Sequence, residues 1–291
     1  MTERALIVVN PKAAAGRALR LWRAVEPEVQ AAFACEVRLT ERPRHATELA
    51  RAAVQAGVRT VVAVGGDGTV HEVVNGLAQT DAVLGILPFG TGNDFARALG
   101  IPLHAGGAVA VLRGGAPRVV DLGRVHGHFY VQVAGTGFDA VVAKRVNESG
   151  RAGKGALPYV LSILSTLFTY RNADLRLAAE RRLQGRALLL AVGNTSFYAG
   201  GMKVCPGADP ADGRLDWCWV GDLSKLETLS ALPRVFGGSH VRLPKVATGR
   251  APAVEVEGPA DLPVHADGEY VGTLPARFEC VPRALRVIAP A

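Results

Sequence analysis

The chain has 291 residues, 49% hydrophobic and 20% charged, a balance that can bury a large core and excludes a disordered protein. Its 34 Gly and 17 Pro fall without a fixed period, which excludes collagen-like and low-complexity chains, and 6% aromatic residues are too few for a platform that stacks single-stranded nucleic acid. The formal charge of +7 favours anionic partners, but the basic residues are dispersed and form no arm, so nucleic acid is not expected.

The length suggests two domains at ~150 residues each. Ala5–Val9 is an apolar run that reads as a buried strand, followed by a Gly-containing loop. Cys35–Thr40 is a second strand, and Ala46–Ala56 is a helix closed by Gly57. Val61–Val64 is a third strand, and a helix follows from about His71 to Leu77 after a Gly-rich turn. Val83–Leu87 is a fourth strand and Asp94–Leu99 a short helix. Alternation of apolar strands with helices predicts a doubly wound parallel α/β sheet.

After about Asp121 the rhythm changes to short strands: Phe129–Ala134, Ala187–Val192, Leu215–Val220, Val241–Thr248, Val254–Glu257, Pro263–Ala266, Glu269–Gly272 and Arg277–Val281. That pattern predicts an antiparallel sheet or sandwich. Leu157–Tyr170 and Leu226–Phe236 are helical insertions, and the polar Asn147–Gly155 reads as a loop. Leu157–Phe168 is too short to span a bilayer, which needs ~20 residues, but its apolar residues cover more than one face. The N-terminal apolar stretch is too short for a signal peptide, and Cys35, Cys205, Cys218 and Cys280 show no metal-ligand spacing. A cytoplasmic protein with reduced thiols is expected.

Three loops carry the chemistry. Gly65-Gly66-Asp67-Gly68-Thr69 lies between a strand and a helix. Glycines there let the backbone approach a phosphate, the helix adds its positive end, and Asp67 suits Mg²⁺ or a helix cap. Gly66 and Gly68 are both expected to serve binding more than folding. Pro88–Arg97, PFGTGNDFAR, also follows a strand and opens a helix. Asn10-Pro11-Lys12, with Gly16, follows the first strand. All sit at carboxyl ends of strands, where open α/β sheets bind ligands. Elsewhere, Asp267-Gly268 is a hairpin-turn signal, on which Glu269 is a solvated strand residue. Asp209, Asp212 and Asp216 make either a plain loop or a hard-cation site.

Together these segments resemble the diacylglycerol-kinase catalytic-domain family, which includes bacterial lipid kinases and sphingosine kinases. The resemblance rests on GGDGTVHEVVNG at Gly65–Gly76, PFGTGNDFAR, then Gly200-Gly201-Met202, Pro206, Asp212–Asp216 and Asp267-Gly268-Glu269, in family order along nearly the whole chain. The first loop alone is shared with NAD kinases and phosphofructokinases. In place of the Gly or Ser that usually follows Asn-Pro-x stands Ala13-Ala14-Ala15, which leaves the phosphate contacts of the first loop open.

The resemblance implies a nucleotide-binding α/β domain over residues 1–122, to which 282–291 return, and a β-sandwich domain over 123–281 that takes the lipid, with ATP in the cleft between them. It implies that Asn10, Pro11, Lys12, Thr40, Gly65, Gly66, Asp67, Gly68, Thr69 and Thr91 bind ATP. It implies further that Asp67 organises catalytic Mg²⁺, that Glu269 is the general base, and that Asp212 with the carbonyls of Asp209 and Arg214 holds a structural Mg²⁺. Asp94 and Asp121 take acidic positions near the cleft. The implied reaction is ATP-dependent phosphorylation of a lipid hydroxyl at a membrane surface, with homodimerisation left open. The alternatives are an NAD kinase-like enzyme with a soluble acceptor and a non-catalytic lipid- or nucleotide-binding regulator. PFGTGNDFAR and Leu157–Phe168 argue against the first, and Asp67 with Glu269 against the second.

Overall fold

The computed structural model of the chain describes residues 4–148 and 165–291. It divides into two compact units, Met1–Leu122 with Arg283–Ala291, and Gly123–Pro282. In the first, β1 (Arg4–Val9), β2 (Ala34–Leu39), β3 (Thr60–Gly65) and β4 (Val83–Pro88) form a parallel sheet in the order β2-β1-β3-β4. Every residue of β3, TVVAVG, is buried, as expected of a strand covered on both faces. The last part of β17 (Ala276–Ala289) joins this sheet, pairing in parallel with β4 at Arg286↔Val83 and Val287↔Leu84.

Five helices accompany the sheet: α1 (Arg17–Ala32), α2 (His45–Gln55), α3 (Asp67–Leu77), α4 (Asp94–Ala98) and α5 (Ala105–Gly114). The sequence reading passes over α1, because Pro27 lies inside it and an internal proline removes a helical hydrogen bond. Pro27 is exposed, and Ala18, Trp22, Val25 and Val29 still bury one face at helical spacing. It also passes over α5, whose sequence AGGAVAVLRG is rich in glycine. The helix expected from His71 begins already at Asp67, so the Gly-rich turn is the first turn of α3.

The chain enters the second unit through β5 (Ala116–Val125) and continues with β6 (His128–Tyr130), β7 (Val133–Gly137) and α6 (Phe138–Glu148). Then come α7 (165–169), β8 (Ala173–Ala178), β9 (Arg182–Gly193), β10 (Phe197–Tyr198), β11 (Met202–Lys203) and β12 (Leu215–Gly221). The remaining elements are α8 (Lys225–Phe236), β13 (Val246–Ala251), β14 (Ala253–Glu257), β15 (Pro263–Ala266), β16 (Glu269–Thr273) and the first part of β17. The pairings β7·β9, β8·β9, β9·β12, β12·β13, β15·β7 and β15·β16 are all antiparallel. One core gathers Leu175, Trp217, Phe278 and Val264; another gathers Val133, Leu188 and Cys218 with Val142 of α6 and Ala231 of α8. The chain is thus an α/β unit with a parallel sheet plus an antiparallel β-sandwich-like unit, as the sequence predicts.

Several boundaries differ from the sequence reading. Phe129–Ala134 is divided between β6 and β7. Val241–Arg242 closes a 3-10 turn, Ser239–Arg242, and the strand starts only at Val246. The expected loop at Asn147 begins inside α6, and its remainder from 149 to 155 lies outside the described residues, as does 157–164 of the Leu157–Tyr170 helix.

Candidate active site

Three strand ends of the first unit meet through hydrogen bonds. The backbone amide of Asn10, after β1, donates to the Val64 carbonyl at 3.0 Å. Its Nδ2 donates to Thr69 Oγ1 at 3.1 Å, and its Oδ1 accepts from the Lys12 amide at 3.0 Å. Thr40 follows β2 and donates its amide to the Val9 carbonyl at 2.9 Å. Asp67 joins the two Gly-rich loops. Its Oδ2 accepts from the Asn93 amide at 2.6 Å, and its Oδ1 from the amides of Asp94 at 2.7 Å and Phe95 at 3.4 Å. One carboxylate therefore caps the start of α4 from another helix. The Asn93 side chain closes the PFGTGND loop on itself, accepting from the Gly90 amide at 2.9 Å and donating to the Gly90 carbonyl at 3.1 Å.

The glycines divide by task. A Cβ on Gly65 would stand 2.4 Å from Thr69 Oγ1, and one on Gly90 would stand 2.2 Å from Gly66 Cα. A Cβ on Gly66 would come to 3.0 Å from Gly90 Cα. Gly66 and Gly90 let the two loops touch and Gly65 makes room for Thr69 within its own, so Gly66, expected to serve binding more than folding, serves the packing of the loops as well. Gly68 is exposed, and no protein atom lies within 4 Å of a Cβ built on it. Gly66 is the N-cap of α3 and no side chain caps that end; the Thr69 and Val70 amides bond the Gly66 carbonyl, which leaves the Gly68 amide for an anion. Lys12 and Thr91 are exposed.

The first loop carries strain. Ala14 at φ 49° and Ala15 at φ 56° are left-handed before Gly16 at φ 86°. That conformation costs an alanine ~1–2 kcal/mol. The alanines thus hold the backbone shape that glycine adopts freely. Asp121, buried, accepts from the Arg283 amide at 2.7 Å and fixes the point where β17 enters the first unit.

In the second unit, Asp267 (φ 51°) and Gly268 (φ 86°) form the turn between β15 and β16 that presents Glu269, which is exposed. Asp267 accepts from the amides of Val131 at 2.9 Å, Gln132 at 2.8 Å and Val133 at 3.2 Å. Beneath it, buried His265 bonds Asp139 Oδ2 through Nε2 at 3.0 Å, and its Nδ1 faces the Gly268 amide at 3.4 Å. With Nε2–H donating to the carboxylate, Nδ1 is left to accept from that amide. Nothing in the sequence marks His265, because its partner is 126 positions away.

At the carboxylate-rich turn, Asp209 Oδ1 accepts from the Ala211 amide at 3.1 Å and Asp212 Oδ1 from the Arg214 amide at 3.0 Å. Arg250 pairs with Asp212 and, at 3.3 Å, with Asp216. Burial, and then the Asp209 charge, push the Asp216 carboxyl up to about 6. Crowded carboxylates of this kind suit a hard cation, and Arg250 already meets part of their charge. Among the described residues no cluster of three or more His, Cys, Asp or Glu is set around a metal. Mg²⁺ tolerates that, since it keeps several waters and takes substrate phosphates with one or two carboxylates. The residues at both places fit it on those terms.

A family model described as the diacylglycerol kinase catalytic domain matches residues 4–125, and one described as a YegS C-terminal NAD kinase beta sandwich-like domain matches residues 132–289. A diacylglycerol kinase of Mycobacterium tuberculosis is 38% identical over 253 residues, 84% of this chain and 81% of that protein. A "Probable lipid kinase YegS-like" of Pseudomonas aeruginosa is 36% identical over 292 residues, 99% of this chain and 95% of that protein. A diacylglycerol kinase crystal structure from Bacillus anthracis superposes with a TM-score of 0.78, covering 99% of this chain and 97% of that one; at 23% identity it speaks to the fold.

Proposed function

The chain belongs to the diacylglycerol kinase catalytic-domain family, and on that premise we propose that it is an ATP- and Mg²⁺-dependent kinase that phosphorylates a lipid hydroxyl, on diacylglycerol or a related glycerolipid or sphingoid acceptor. The observation that carries the reading is the open backbone at Gly68 beside the uncapped start of α3. In this reading Asn10, Pro11, Lys12, Thr40, Gly65–Thr69 and Thr91 hold the nucleotide. Phosphoryl transfer needs positioning and charge neutralisation more than covalent chemistry.

Asp67 binds the two Gly-rich loops to one another and places its carboxylate beside the phosphates; Mg²⁺ held there would supply charge neutralisation on the transferring group. Glu269 accepts the proton of the acceptor hydroxyl, and the Asp267 and His265 bonds fix the turn that presents it. Asp212, with the carbonyls of Asp209 and Arg214, would hold a second, structural Mg²⁺. The protein works in the cytoplasm, peripherally associated with the membrane that holds its acceptor.

ATP turnover measured against a panel of lipids in mixed micelles tests the reading. Phosphorylated lipid that requires both ATP and Mg²⁺ is the expected result. Turnover with soluble acceptors only, or none with any acceptor, would overturn it.

A further inference from the structure

Helix α8 carries apolar residues on two faces. Ala231 is buried and Val235 half-buried against the core that holds Cys218 and Leu223. Leu226, Leu229, Pro233 and Phe236 are exposed, the leucines at 80% and 41% and Phe236 at 50%. Spacing of i, i+3, i+7 and i+10 places them in one stripe along the helix. Phe168, 66% exposed, adds to it at the helix start: Lys225 Nζ lies 5.7 Å from the Phe168 ring centre and donates to the Phe168 carbonyl. Single exposed apolar residues are ordinary, whereas a contiguous apolar surface marks an interaction site.

The charges around the stripe are cationic. The charged residues of α8 are Lys225, Glu227 and Arg234, and Glu227 is engaged by Lys245 at 2.8 Å and by the Ser224 amide at 2.7 Å. At the helix start a cavity of about 420 Å³ is lined by Arg171, Arg186, Lys225 and Lys245 against Asp222 and Glu227. Asp222 is itself paired with Arg186 at 3.7 Å.

We propose that this stripe is the face through which the chain docks on a bilayer containing anionic lipid. The apolar side chains enter the acyl boundary and the cations meet headgroup phosphates, the arrangement of an interfacial amphipathic helix. A second copy fits less well. Two such stripes packed antiparallel would bring Lys225 towards Arg234 of the other copy, with no uncommitted carboxylate on α8 between them. The proposal deepens the lipid-kinase reading and rests on it for its purpose.

The test uses the full chain, vesicles of phosphatidylcholine with or without phosphatidylglycerol, and a short-chain diacylglycerol dispersed as monomers. The wild type should co-sediment with anionic vesicles, more weakly as salt is added. Leu226→Asp and Phe236→Asp should each lower that binding about tenfold or more while melting as the wild type and keeping turnover of the dispersed substrate. Lys225→Glu should lower binding to anionic vesicles only. Wild-type vesicle binding by both apolar variants would overturn the proposal, and so would a wild-type dimer that Leu226→Asp dissolves. Vesicle binding that depends on the stripe, in a protein with no kinase activity on either lipid form, would retire the kinase reading and leave the docking face standing.

Discussion

Gly68→Ala separates what the Gly-rich loop does for the fold from what it does for a ligand. Gly68 is the second residue of α3, is exposed, and has no protein atom within 4 Å of the new methyl. Alanine in a helix is favoured over glycine by ~0.5–1 kcal/mol, so the variant should be slightly more stable, with a melting rise of ~2–4 °C. If a phosphate lies against this backbone, the methyl displaces it. Losing one hydrogen bond to a charged group costs ~1.5–3 kcal/mol, or ~10–150-fold in ATP affinity. Gly66→Ala is the contrasting variant, because its methyl would press on Gly90 Cα at 3.0 Å and should lower the melting temperature as well. Calorimetric titration with ATP and Mg²⁺, beside a melting curve, reads both quantities. A folded Gly68→Ala that binds ATP as tightly as the wild type would refute the placement of the nucleotide on this loop.

Glu269→Gln should lower kcat by ~10²–10⁴-fold with ATP affinity unchanged, since general base catalysis is worth that much; a loss below about tenfold under saturating substrates would withdraw the base. His265→Asn should also lower kcat, and in the Glu269→Gln background it should cost little more, because it acts by holding the turn; additive losses would count against that. Ala15→Gly should raise stability by up to ~1 kcal/mol by releasing left-handed strain, and an unchanged or lower melting temperature would mean the loop bears none. Asp216 titrates near 6 in the folded chain, above its unfolded value, so the folded state holds that proton longer. Stability should therefore fall as pH rises from about 4 to about 6, by ~1–2 kcal/mol after solvent screening. Mg²⁺ without nucleotide should offset the loss, raising the melting temperature more at about pH 8 than at about pH 5, and Asp212→Ala should abolish that gain.

Local signals made the strands and loops of the first unit legible. Val61–Val64 can be little but a buried strand, and the Gly-rich segments after β3 and β4 announce close backbone approach. What escaped is non-local or locally contradictory. Pro27 hid α1, although Ala18, Trp22, Val25 and Val29 already showed its buried face. Val241 is apolar enough for a strand but sits between Gly238 and Pro244, where the chain makes a 3-10 turn instead. The bond from Asp67 to the start of α4 and the contact of His265 with Asp139 leave no trace in spacing, because each joins residues brought together by the sheet. Gly66 and Gly68 look alike in sequence, and only the neighbour at Gly90 tells them apart.

The pairing of Arg286 and Val287 with β4 also sets an order of events during synthesis. The first unit has its other parallel strands once β4 emerges from the ribosome, yet the neighbour of β4 on that side is translated roughly 200 residues later, ~10–40 s at ordinary elongation rates. For that interval the β4 edge is a bare row of amides and carbonyls flanked by Leu84, Ile86 and Leu87, the kind of surface that recruits foreign strands. Nascent chains stalled in that window are the ones a chaperone would have to shield. Clipping residues 283–291 from the finished protein should return it to that state, with loss of solubility preceding loss of secondary structure.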